Sequence, residues 1–517
     1  MAEKIQTKKL ENLSTADATC RVDSEILLPE YKEEAERILR VNTKTVVKNK
    51  QIYLREHALI CEIEGSIGFH ILYHTPGGGE KGRPSAFLHS EAFSHSFQIP
   101  CNTEDLSPEE ISVFAEASPR SSLVKLLGPR KLIAKSEIAI TLDVKCNRSV
   151  SMIPPTSSDD VVTREGEARV TRLHKSHREE MSFSQTISLP KAYLPVSEIC
   201  EMEAVLFAQS IKAEDGGVSF LGLCDLHCSY TAEEENLFIS FYQPIEFDKR
   251  VGIPELSAED VCRIELTPVA LKATTDINEE GENKNILFEL DYVLEVTAFE
   301  TRPLCFATDA FSTENYLHQE KKTESFQELL GAFDFSEGVK GHKGVKLTNV
   351  KRAEGIRAGV EFRNTYLENG KICLEGRLAF SYLAILESDE LKAVEDTYDF
   401  KTVITSPFSI PEGEECSIEV YGGARGVDLE LQGEEVHLRF ELCGNLCVYR
   451  LSRPELVCDF ERGEALVKKR GEILFVYPER GEDLWSLAKE YHLAPEKIKE
   501  QNHLTGETLP IYLKLIP

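Results

Sequence analysis

Basic side chains are in short supply in this sequence: 59 lysines and arginines stand against 88 aspartates and glutamates, a formal charge of −29. Such a surplus repels phosphate backbones and anionic lipid, so neither nucleic acid nor a membrane surface is the expected partner. Long apolar runs are missing too, and nothing approaches the roughly 18 consecutive residues that a membrane helix needs. The opening Met1-Ala-Glu-Lys-Ile-Gln-Thr-Lys-Lys-Leu10 continues into Glu11, Asn12, Asp17 and Arg21 rather than into the apolar core of an export signal. The expectation is a cytoplasmic protein. Tryptophan is nearly absent, with Trp485 the single example.

Metal-site spacing is lacking as well. The 14 cysteines are scattered through a chain of 517 residues, too long to need disulfide staples, which reads as reduced thiols. The closest groupings, Cys224 with Cys228 and Cys443 with Cys447, sit in alternating apolar stretches and read as strand-borne core residues rather than zinc ligands. No catalytic, cofactor or metal residues are assigned. Thr75-Pro-Gly-Gly-Gly-Glu-Lys-Gly-Arg83 lacks the order of a phosphate-binding loop and reads as a hairpin loop. His174 and His177 read as a basic spot on a surface strand, and Glu233 to Glu235 and Glu279 to Glu282 as solvated turns.

What the chain does contain is internal repetition. Ile60-Cys-Glu-Ile-Glu-Gly65 running to Tyr73, Val218-Ser-Phe-Leu-Gly222 running to Tyr230, and Ile372-Cys-Leu-Glu-Gly376 running to Tyr382 share an apolar strand, an internal glycine and a terminal tyrosine. Each is followed by an Ile-Pro pair, at Ile99-Pro100, Ile253-Pro254 and Ile410-Pro411, and by an acidic turn. Each closes on a long alternating run beginning near Leu132, Ile286 and Val436. Period-2 alternation bounded by turn residues predicts half-buried antiparallel strands. Comparison with Cys416-Ser-Ile-Glu-Val-Tyr421 makes Ile111 to Ala115 a strand as well, although Ser107-Pro108-Glu109-Glu110 alone looks like a helix start.

The predicted fold is therefore mainly β, three repeated sandwich-like domains over residues 23–150, 169–303 and 346–460. Residues 1–22 are expected to be flexible, and 151–168 and 304–345 to be linkers. Glu324 to Leu330 has the pattern of a short helix. The third repeat shows no clear Leu-Pro opening like Leu28-Pro29 and Leu189-Pro190.

Residues 471–517 differ in kind. Leu484, Leu487, Ala488 and Tyr491 fall at i, i+3, i+4, i+7 of one helix face, and Pro495 opens a second helix. Strands over Ile473 to Val476 and Ile511 to Leu515 flank the pair. This strand-helix-helix-strand pattern, with Tyr477, Gly481-Glu482-Asp483-Leu484, Leu487-Ala488, Tyr491, Leu493, Asn502 and Leu515-Ile516-Pro517, resembles the lysin-motif (LysM) family. Asp483 replaces the family's threonine, and Leu509-Pro510-Ile511 its Pro-Gly-Gln.

The resemblance implies a groove formed by Gly481, Glu482, Asp483, Leu484 and Trp485 on one side and Asn502, His503, Leu504 and Thr505 on the other. Trp485 reads equally as a packing residue or a surface contact, and Asn502 as a loop-ordering residue. Joined to the three repeats, the module makes the chain resemble the spore-coat-associated (SPOCS) domain proteins. That resemblance implies a non-enzymatic coat assembly factor in the mother-cell cytoplasm, at the forespore surface or in the coat. Its LysM module would bind a coat scaffold ATPase like stage IV sporulation protein A, and its β-domains other coat proteins. The alternative is a cell-wall or cortex protein that binds N-acetylglucosamine chains of peptidoglycan.

Overall fold

The computed structural model describes residues 4–76, 83–156, 160–233, 237–344, 346–433, 435–467, 473–506 and 509–516. Antiparallel strands dominate, as the alternating pattern predicts. The first six are β1 (Ile5–Leu27), β2 (Arg37–Arg55), β3 (Ala58–His74), β4 (Pro84–Pro100), β5 (Ile111–Gly128) and β6 (Lys131–Met152). They form two three-stranded sheets, β1-β6-β5 and β2-β3-β4. Ile26, Phe69, Phe97, Ile111 and Ile138, drawn from both sheets, share one core.

The same order recurs. β7 (Val161–Ser188), β8 (Val196–Glu214), β9 (Gly217–Ala232), β10 (Phe238–Gly252), β11 (Val261–Ile277) and β12 (Asn283–Ser312) pair as β7-β12-β11 and β8-β9-β10. After β13 (Asn315–Thr323) come β14 (Phe326–Gly344), β15 (Val350–Glu368), β16 (Lys371–Leu386), β17 (Leu391–Ile404), β18 (Cys416–Gln432) and β19 (Glu435–Ser452). These pair as β14-β19-β18 and β15-β16-β17, and β20 (Glu455–Ala465) pairs with β13. The chain ends in β21 (Leu474–Val476), α1 (Leu484–Glu490), α2 (Pro495–Asn502) and β22 (Leu513–Leu515).

The glycines that align the repeats have one physical job in all three. Gly65 pairs across the sheet with Phe93, Gly222 with Phe247 and Gly376 with Phe400. A Cβ at each would come within 2.4, 2.2 and 2.6 Å of the ring tip. The phenylalanine fills the space left by the missing side chain and joins the core, a cross-strand pair of the kind that fixes register. Tyr73, Tyr230 and Tyr382 are fully buried, and Ile99, Ile253 and Ile410 are buried as well.

Several segments differ from the sequence reading. Residues 5–27 form β1 rather than a flexible tail, because Leu10, Val22 and Ile26 turn inward. The stretch 304–345 is no linker: β12 runs on to Ser312, and β13 and β14 follow. Phe326 to Leu330 opens β14 instead of a helix, because its strand pairing with Ser452 to Tyr449 outweighs a weak helical periodicity. β14 supplies the opening strand that the third repeat lacked. The 151–168 stretch is shorter than expected, since β7 begins at Val161. Pro108–Glu110 forms one 3-10 turn before β5. The Gly77 to Gly82 part of the hairpin loop and Glu234 to Glu235 lie outside the described residues.

The three six-stranded units close a ring. β4 touches β8, β10 touches β15, and β17 touches β2, so the last edge strand of each sheet meets the first edge strand of the next, head to tail. The opening strands β1, β7 and β14 touch one another, and Leu10, Leu173 and Leu329 meet in one cluster with Phe299 and Tyr449. Arg40, Glu201 and Arg357 occupy equivalent register positions on β2, β8 and β15. Each lies opposite the residue before a landmark tyrosine, Leu72, Ser229 or Ser381, and each follows a register shift. Arg40 and Glu201 form a buried ion pair, and Arg357 lies 3.7 Å from the same carboxylate.

Candidate functional site

The terminal module is built on a small core. Leu484, Leu487 and Ala488 of α1, Ile498 of α2, and Leu513 and Leu515 of β22 are buried together. The predicted helix face is thus the packed one, and Pro495 is the first residue of α2. β21 and β22 are shorter than the sequence suggested, with Leu474 paired to Leu515 and Val476 to Leu513.

Asp483 is the N-cap of α1. Its carboxylate accepts from the Ser486 backbone N–H at 2.8 Å, and Arg164 of β7 lies 3.3 Å away. Aspartate is a favoured N-cap, and Asp483 fixes the helix start. The Ser486 bonds hold the Asp483 carboxyl below its ordinary range. Gly481 adopts φ +93°, a left-handed turn that suits glycine. Glu482 closes that turn by accepting from the Glu479 N–H at 2.9 Å.

Asn502 orders its loop, in line with its sequence reading. Its Nδ2 donates to the Ile498 and Lys514 carbonyls at 2.9 and 2.8 Å, and its Oδ1 accepts from the Lys514 N–H at 2.6 Å. His503 ends α2 in the left-handed region at φ 52°. Leu484 and Leu504 pack on the shared core and so join the two sides of the expected groove. Gly481, His503 and Thr505 are exposed.

Trp485 faces the body of the protein rather than solvent. Its Nε1 donates to Asp309 of β12 at 2.9 Å, and its ring meets Phe311 edge-on at 5.1 Å. Lys489 reaches both oxygens of Asp309 at 2.8 Å, and Gln319 donates to it at 2.7 Å. Burial alone would raise the Asp309 carboxyl, but Lys489, Trp485 and Gln319 outweigh that and hold it well below the carboxylate range. His492 bonds the Ser312 carbonyl at 2.9 Å. Trp485 and Lys489 stand at i and i+4 of α1, a second stripe that was open to detection in the sequence, and His492 follows just past the helix end.

Sequence reasoning missed the outer face of the β21–β22 ribbon. Phe475, Tyr477 and Tyr512 are 60%, 70% and 55% exposed, and their rings lie 6.2 and 6.3 Å apart in two tilted pairs. Strand alternation places them opposite the buried Leu513 and Leu515. Contiguous exposed aromatics of this kind mark interaction surfaces.

Cys224, Cys228, Cys443 and Cys447 are buried strand residues. Burial pushes the Cys224 and Cys443 thiols up to about 12, away from the thiolate that binds metals. His174 pairs with Asp260 at 2.8 Å on β7. Among the described residues, Glu165, Glu167 and Cys305 are the one group with metal-ligand spacing, and all three are exposed. No helix among the described residues is long and apolar enough to cross a membrane. No family model, curated protein or solved structure matches the chain.

Proposed function

We propose that the chain is a non-enzymatic spore-coat assembly factor, with three sandwich-like SPOCS-type domains closed into a ring and a LysM-type module carried on the second. The module binds a coat scaffold ATPase like stage IV sporulation protein A in the mother-cell cytoplasm. The β-domains bind other coat proteins. One observation carries this reading: the module is anchored on one side through Asp309 while its opposite ribbon presents Phe475, Tyr477 and Tyr512 to solvent. Exposed tyrosine and phenylalanine on a rigid support are typical anchors of protein interfaces.

A second reading, binding of N-acetylglucosamine chains in peptidoglycan, rests on the strand-helix-helix-strand order of the module. Asp483 caps α1 as a threonine would, but it sets a carboxylate where the sugar-binding pattern has a hydroxyl. Sedimentation of the full chain with filaments of the scaffold ATPase, and separately with purified peptidoglycan, separates the two. Co-sedimentation with filaments, abolished in Tyr477→Ser/Tyr512→Ser, is expected. Saturable binding to peptidoglycan with none to filaments would replace the first reading by the second.

A further inference from the structure

The outer sheet of the third unit sets two histidines face to face. His342 of β14 lies directly opposite His437 of β19, and their rings stand 6.3 Å apart, tilted by 35°. Strand alternation turns both outward, since Val436 and Leu438 on either side of His437 are buried. Directly opposed residues on antiparallel strands have Cβ atoms about 4.5–5.5 Å apart, a span over which two imidazoles can close on one ion.

The surroundings add a third donor and a space. Glu435 stands two residues before His437 on the same face, its Oε2 3.6 Å from the His437 Nε2. Gly344, two residues past His342, faces Glu435, and nothing lies within 4 Å of where a Cβ would stand on it. Four neighbouring positions thus hold two imidazoles, one carboxylate and a gap. The other charges of this face do not oppose a cation. Glu430 of β18, on the far side of His437, lies 3.5 Å from Arg439, which stands between Lys340 and Asp428 in the next row. Glu435, Glu430 and Asp428 against Arg439 and Lys340 leave one negative charge.

The three donor atoms are more widely spread than those of Glu165, Glu167 and Cys305, which lie within 4.8 Å of one another. His342 and Glu435 are exposed, and exposed side chains change rotamer freely, so the trio closes as the ion arrives. Imidazole nitrogens select the ion: they suit Zn²⁺, Ni²⁺ and Cu²⁺, whereas carboxylate and water alone suit Mg²⁺ and Ca²⁺.

We infer that His342, His437 and Glu435 form a site for one divalent transition-metal ion of the zinc class, with water completing its shell. The ion clips β14, the opening strand of the third unit, to β19. The inference is independent of the terminal module, and failure of one leaves the other standing.

The test is equilibrium dialysis of the full, reduced chain against Zn²⁺, with the wild type and variants compared for ions bound per chain. Affinity at one saturable site should fall at least about tenfold in His342→Gln or His437→Gln, and the site should be absent in His342→Gln/His437→Gln. Gly344→Leu keeps every donor and fills the space, and should weaken the site. Both histidines are on the surface, so these variants should fold within about 0.5 kcal/mol of wild type. Zn²⁺ should raise the urea midpoint of the wild type and leave that of the double variant where it was. Excess Mg²⁺ and Cys305→Ser should change nothing at this site. Equal Zn²⁺ uptake by wild type and the double variant, displacement by Mg²⁺, or loss in Cys305→Ser with the histidine variants unaffected would each overturn the inference.

Discussion

Arg40 Nη1 donates to the backbone carbonyl of Gly355 at 2.6 Å, joining the first unit to the third across 315 positions of sequence. Its other terminal nitrogen pairs with Glu201 of the second, so one buried side chain ties three units together. Arg40→Met leaves Glu201 in a buried site with Arg357 as its remaining cation. Breaking one partner of a buried pair costs about 3–5 kcal/mol. We expect a lowered urea midpoint of that order in Arg40→Met, and a smaller loss in Arg40→Met/Glu201→Met, where no charge is stranded. Equal losses in the single and double variants would show that the pair contributes packing rather than charge balance.

Gly355 is the other half of the same contact. It adopts φ +59°, and a Cβ there would stand 2.9 Å from Arg40 Nη2 and 3.3 Å from Ser229 Oγ. Gly355→Ala should destabilise by about 1–3 kcal/mol through strain at positive φ and displacement of Arg40. Gly359→Ala, four residues on and with open space around it, is the control and should fall within about 0.5 kcal/mol of wild type. Chemical denaturation of both variants checks the contrast.

The Gly-Phe pairs show why much of the fold was legible in the sequence. Gly65, Gly222 and Gly376 stand out because each must yield its space to a phenylalanine one strand away, so the constraint leaves a mark at every repeat. β14 left no such mark. Its Phe326 and Leu329 bury against distant Met152, Leu10 and Tyr449, and the local sequence reads equally as a helix turn. β1 was hidden for a related reason: polar residues fill its exposed face, and its few inward residues are spaced by them. The Trp485 dock depends on Asp309, 176 positions away, and the Arg40, Glu201 and Arg357 meeting on register shifts that break simple alignment. Local periodicity carries no information about such partners.

The dock has a built-in reporter, since Trp485 is the single tryptophan. Asp309→Asn keeps the shape and removes the charge that Lys489 and Trp485 meet, a loss of about 1.5–3 kcal/mol for charged hydrogen bonds. In the variant, tryptophan emission should shift to the red at a lower urea concentration than the unfolding of the β-sheets seen by circular dichroism. Because the folded carboxyl lies below its ordinary value of 3.8, the dock is at full strength above that pH and weakens as pH falls below it. Coincident transitions in wild type and variant would mean that Asp309 does not hold the module.

Acid should unfold the ring in two stages. His227, its ring tilted against Tyr242 at 5.1 Å, is pushed down to about 4, first by burial and then by Arg357. Between its unfolded value of 6.5 and that folded value the unfolded chain takes up a proton that the folded one refuses, so stability falls as pH falls. At 1.36 kcal/mol per unit the full span is worth up to about 3 kcal/mol. Glu203 acts lower: burial opposes its ionised form, but Lys44 and Arg357 outweigh burial and hold it at about 2. Its contribution is complete above its ordinary 4.5 and is lost as pH falls toward 2. Urea midpoints at pH 8, 6 and 5 isolate the first stage, because few carboxylates titrate there. His227→Gln should match wild type at pH 8 within the cost of the substitution and then lose less stability between pH 6 and 5. An unchanged slope in His227→Gln would assign the acid sensitivity to His70, whose pKa burial also lowers, and His70→Gln would then flatten it.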